Sequence, residues 1–144
     1  MAAIVSNIVS PLAATLNVAI GGAIGAVLRY QIGRGLTAWL GAPSLGMFPW
    51  ATLTVNVIGS LLMGVLAGWL ARHGSAADFP ADQLRLLLGV GLLGGFTTFS
   101  AFSLELVLLI DRGQYLFAFI YIMLSLAMGI SGLLVGIVIA RSFS

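Results

Sequence analysis

A chain of 144 residues that is 60% hydrophobic and only 7% charged cannot clothe a water-soluble globule, since an average soluble domain is about 25% charged. Six basic and four acidic side chains, 19 glycines and no cysteine exclude an ordinary cytosolic enzyme, a disordered chain and a disulfide scaffold. The composition is that of an integral membrane protein.

Residues 1–10 carry no basic side chain ahead of the apolar run and so lack the n-region of a secretory signal. They read as a helix extension or ordered tail ahead of Pro11, which suits a first helical turn. A bilayer span needs about 20 predominantly apolar residues, and four stretches qualify: 12–32, 50–71, 84–110 and 115–140. The break at 33–49 follows the first. The break at 72–83 holds the densest polar cluster, His73, Gly74, Ser75 and Asp78. The third stretch is too long for a plain span and is interrupted by Gly94-Gly95-Phe96-Thr97-Thr98-Phe99-Ser100, where the two glycines let the chain leave helical geometry. Residues 111–114 make a tight turn between antiparallel helices. The expected fold is a single all-α transmembrane domain over 1–144, with four helices and the third broken near its middle.

With four spans, Arg72, Arg85 and Arg141 fall on one side of the membrane and Arg29, Arg34 and Arg112 on the other. Basic residues normally set orientation, and this balance predicts insertion in both directions. Small residues recur at helical spacing: Gly21 and Gly25, then Ser60, Gly64 and Gly68, then Ser125, Gly129, Gly132 and Gly136. Such stripes let helices approach closely in lipid. Any one pair serves packing inside a subunit; three striped spans predict an oligomer.

Enzyme chemistry has almost nothing to stand on. There is no Ser/His/Asp set, no His and Cys cluster and no Walker-type loop, and nothing points to a nucleic-acid partner. Gly21-Gly22-Ala23-Ile24-Gly25 superficially resembles a dinucleotide loop, but it lies within a span with no strand before it. His73, the single histidine, reads as a solvated loop residue.

Polar residues inside spans are more informative, because each must find a partner or line a wet path. Asn56 lies a few residues into the second span. Thr97, Thr98, Ser100 and Ser103 cluster by the glycine pair, flanked by Phe96, Phe99 and Phe102. Phe99, Phe102 and Ser103 share one helix face. Phenyl rings have positive edges, so ring edges, hydroxyls and an amide together form a weakly electropositive track without fixed charge. Such a track suits a small anion that must bind and leave. The competing readings, core packing for the Phe pair and a helix-to-helix hydrogen bond for Asn56, stay open. Tyr121 and Ser125 add a hydroxyl pair four apart, and Arg29 can snorkel or sit in an aqueous vestibule. Glu105, the one acid well inside a span, can face water, pair with an arginine or be protonated.

These residues carry a resemblance. Gly21-Gly22-Ala23-Ile24-Gly25-Ala26-Val27-Leu28-Arg29-Tyr30 resembles the first-helix signature of the Fluc-type (CrcB-family) fluoride channels, and Thr52-Leu53-Thr54-Val55-Asn56 their second-helix motif. Gly94-Gly95-Phe96-Thr97-Thr98-Phe99-Ser100-Ala101-Phe102-Ser103-Leu104-Glu105 is similar to their third-helix break and is the most specific of the three. The resemblance implies an antiparallel, dual-topology homodimer with two fluoride pores between subunits. It implies that Asn56, Phe99, Phe102, Tyr121 and Ser125 line a pore, with hydroxyls from Thr98, Ser100 and Ser103, and that Arg29 faces a vestibule. It further implies a structural Na+ at the dimer centre, held by the backbone carbonyls of Gly94 and Thr97. The implied role is passive export of fluoride from the cytoplasm through the inner (plasma) membrane. The rival reading is a small dual-topology, proton-coupled exporter of cationic compounds. That rival needs a carboxylate in the first span, where this chain has none.

Overall fold

The computed structural model describes residues 10–41, 47–73 and 81–142. Residues 1–9 and the cluster members Gly74, Ser75 and Asp78 lie outside the described residues.

Helix α1 spans Pro11–Leu40. Ser10 caps it, its hydroxyl accepting from Ala13 N at 3.2 Å, and Pro11 takes the first turn, where a missing N–H costs nothing. The helix runs on through 33–40, which the sequence assigned to a break. No proline interrupts that segment, and Thr37 Oγ1 bonds back to the Gly33 carbonyl at 2.8 Å. Gly41 ends the helix with φ at 80°, a conformation open to glycine. Helix α2 covers Trp50–His73.

The third span is composite. A short α3 (Ala81–Leu84) leads into a π-helical stretch, Arg85–Leu93, and then α4 (Gly94–Phe96). The chain leaves helical geometry at Thr97 (φ −84°, ψ 160°) and Thr98 (φ −153°, ψ 121°), and α5 (Phe99–Asp111) resumes. The break therefore lies three residues later than the glycine pair suggested: Gly94 itself is helical (φ −64°, ψ −39°). Gly95 is needed for proximity, since a Cβ there would stand 2.6 Å from the Gly22 carbonyl oxygen of α1. After the turn at Gly113 (φ 71°), α6 covers Tyr115–Ser142. Among the described residues, four helices of membrane-crossing length and composition result.

Two close pairings build the bundle: α2 along α6, and α1 along the π-helical stretch and α4. Glycines set both. A Cβ on Gly64 would strike the Leu133 carbonyl, and one on Gly136 the Leu61 carbonyl, across α2 and α6. One on Gly21 would strike the Leu87 carbonyl. These contacts use the small-residue stripes within one subunit, so the stripes do not call for a second copy. Lipid gives helices little hydrophobic reason to associate, and backbone-to-backbone approach supplies the contact. The buried cluster, Phe48, Leu53, Leu109, Ala118 and Tyr121, lies where α2, α5 and α6 meet, with Phe102 packed against it.

Candidate functional site

The break is built by two side chains. Asn56, on α2, donates from Nδ2 to the Thr98 carbonyl at 3.1 Å and accepts at Oδ1 from Thr98 N at 2.8 Å. Thr98 Oγ1 caps α5 by accepting from Ala101 N at 3.2 Å. In a continuous helix, Thr98 N would serve the Gly94 carbonyl and Ala101 N the Thr97 carbonyl. Both carbonyls lose those donors here. Thr97 turns its own hydroxyl back to the Leu93 carbonyl at 2.9 Å. Asn56 is thus a fold element, the helix-to-helix reading, and one amide N–H remains for a further acceptor.

Beside the break, α2, α5 and α6 enclose a groove of about 340 Å³ lined by Asn56, Ser60, Thr97, Thr98, Phe99, Phe102 and Ser125, among others. Ser125 Oγ is buried there without a hydrogen-bond partner, which costs free energy unless a ligand completes it. The Phe99 and Phe102 rings sit 5.8 Å apart, and Phe99 is 80% exposed. Sequence reasoning placed three further hydroxyls here that stand outside the lining. Ser103 donates back to the Phe99 carbonyl at 2.9 Å, and Ser100 Oγ lies 3.3 Å from Thr98 Oγ1. Tyr121 is fully buried, and its hydroxyl donates to Glu105 Oε2 at 2.7 Å. Its ring backs Phe102 at 4.9 Å. Tyr121 therefore supports a groove residue from behind.

A second cavity, about 730 Å³, opens between α1 and the start of α2. Arg29 and Arg34 line it together with Thr52, Thr98 and Ala101, and the Arg34 guanidinium lies over the Tyr30 ring at 5.9 Å. Thr98 borders both this cavity and the groove. Among the described residues no three His, Cys, Asp or Glu side chains gather as metal ligands.

Glu105 resolves into a partnered group. Its Oε1 accepts from Thr52 Oγ1 at 2.7 Å and its Oε2 from Tyr121, tying α2, α5 and α6 together. Thr52 enters the sequence reading only as the first residue of the second-helix motif. The usable signal was Glu105, since an acid inside a span must find donors. Glu105→Leu is expected to leave two hydroxyls unpaired, costing about 1–3 kcal/mol for each, whereas Glu105→Gln keeps an acceptor and loses less. Thermal unfolding in detergent ranks the variants, and equal melting for leucine and wild type would deny the network a structural role.

Among the described residues, four helices long and apolar enough to cross a membrane, three of them lining a groove of hydroxyls and phenyl rings, define a multi-pass membrane protein. The chain belongs to the family described as CrcB-like protein, Camphor Resistance (CrcB), whose pattern it matches over residues 16–137. It is 59% identical over 93% of its length to 96% of a protein of Erythrobacter litoralis named "Fluoride-specific ion channel FluC". Proteins of the same name from Novosphingobium aromaticivorans (56% identity, 89% of this chain and 96% of the relative) and Rhodospirillum centenum (49%, 88% and 94%) are also similar.

Proposed function

We propose that this chain is a passive fluoride-selective channel. The observation that carries the reading is the 59% identity over nearly the whole chain to a fluoride-specific channel. The groove supports it: the orphaned Ser125 hydroxyl, the spare Asn56 N–H and the Phe99 and Phe102 ring edges offer partial positive charge without a fixed cation. Arg29 in the neighbouring cavity raises the local anion concentration. Purified protein in liposomes is expected to release fluoride rapidly while retaining chloride. Equal release of both ions, or release only against a proton gradient with an organic cation, would defeat this reading.

The finer reading is an antiparallel homodimer with a pore on each side of the twofold axis, exporting fluoride through the inner membrane. Its support is the balance of three arginines at each end and a Phe99 ring left 80% exposed at the groove edge. Carboxyl-terminal reporters are expected on both faces of the membrane; a uniform location would sink the dual topology. A structural Na+ belongs to the same reading, held where two breaks meet on the axis by the carbonyls of Gly94 and Thr97. At both of these carbonyls the helical donor is taken by a side chain, and neutral oxygens suit a hard monovalent cation.

A further inference from the structure

We infer that Asn56 and Thr98 are positioning residues for a monovalent cation at the break of the third span, each acting by withholding one N–H from one carbonyl. A helical carbonyl with its N–H in place is half-spent as a ligand, since its lone-pair density and its direction are committed along the helix axis. Freeing a carbonyl inside a membrane is costly, and the cost falls when the displaced donor finds another acceptor. Two of the four donors displaced at the break are captured by side chains. Thr98 N is captured by Asn56 Oδ1 at 2.8 Å, releasing Gly94, and Ala101 N by Thr98 Oγ1 at 3.2 Å, releasing Thr97. Asn56 also holds the Thr98 carbonyl through Nδ2 at 3.1 Å, so the diverted backbone is gripped at both its groups. The extended backbone at Thr97 and Thr98 is the visible result of this arrangement.

The inference rests on the cation reading above and adds to it a mechanism within each subunit: the site is made by side chains that do not touch the ion. Outer-shell partners of this kind carry about 10–100-fold in metal affinity. It also couples the cation to the groove, because Asn56 and Thr98 line the groove as well.

The test is the concentration of sodium that half-saturates stabilisation of the purified protein against heat, read with N-methylglucamine as the balancing cation. Wild type, Thr98→Ser, Asn56→Leu and Thr98→Val are compared. Serine keeps the Oγ acceptor for Ala101 N and is expected to keep the sodium dependence. Leucine returns Thr98 N to the Gly94 carbonyl, and Thr98→Val returns Ala101 N to the Thr97 carbonyl. Each is expected to raise the sodium midpoint about tenfold or more. Thr98→Val removes a single cap, so it carries the test if Asn56→Leu fails to fold. A wild type whose melting ignores sodium would remove the cation reading and this inference together. A sodium-dependent wild type with unchanged midpoints in the folded variants would overturn the inference alone.

Discussion

Gly25→Ala is expected to prevent the first and third spans from assembling, with little or no folded protein recovered in mild detergent. Gly25 is buried against the third span, and an added Cβ would strike the Leu92 carbonyl oxygen. It would also lie 2.8 Å from Phe96 N and 3.0 Å from the Leu92 carbonyl carbon. All three atoms are backbone, so no side chain can rotate away. The helices would have to separate along their length, losing the neighbouring approach of Gly21 to Gly91 and of Gly22 to Gly95. Overpacking a core costs about 1–3 kcal/mol even where side chains adjust, against a total stability of about 5–15 kcal/mol. A rigid backbone clash exceeds the ordinary case. Gly35→Ala is the control: nothing lies within 4 Å of its added Cβ, and alanine favours a helix over glycine by about 1 kcal/mol. The measurement is the monodisperse fraction on size exclusion. Equal recovery of the two variants would mean that α1 does not pack as described.

The same glycines explain what the sequence can and cannot convey. Four spans are legible because twenty-residue apolar runs have few other uses. A glycine stripe announces close approach without naming the neighbour. Gly64 and Gly136 meet each other's helices inside one subunit, although their spacing reads equally well as a contact between subunits. The break is legible as a region, since hydroxyls and glycines crowd together in an apolar span. Its position is not, because Gly95 serves proximity to Gly22 and the turn out of helix falls on Thr97 and Thr98. The Thr98 N–H is diverted by Asn56, 42 residues upstream, and no local pattern records that pairing. Glu105 is similar: its donors come from α2 and α6. Tyr121 shows the reverse case. Its spacing to Ser125 places both on one helix face, yet one hydroxyl is satisfied beneath the groove and the other is orphaned within it.

The two phenylalanines separate a pore role from a packing role. Phe99→Ile and Phe102→Ile are each expected to cut fluoride efflux from liposomes about tenfold or more, a barrier increase of about 1.4 kcal/mol. Isoleucine fills much of the space but has no positive ring edge to offer an anion. The structural consequences differ. Phe99 is 80% exposed within the subunit and touches the Phe102 ring at 5.8 Å, so its loss is expected to leave the melting temperature of the subunit fold nearly unchanged. Phe102 packs against Tyr121 at 4.9 Å and borders the buried cluster. Losing that aromatic contact is expected to cost about 0.5–1.5 kcal/mol as well. Flux and stability thus fall together in Phe102→Ile and come apart in Phe99→Ile. Efflux followed by a fluoride electrode, with melting measured on the same preparations, checks both halves. Flux within a factor of two of wild type in both variants would return the pair to ordinary packing. A flux loss confined to Phe102→Ile and proportional to its instability would mean that the ring supports the groove without meeting the ion.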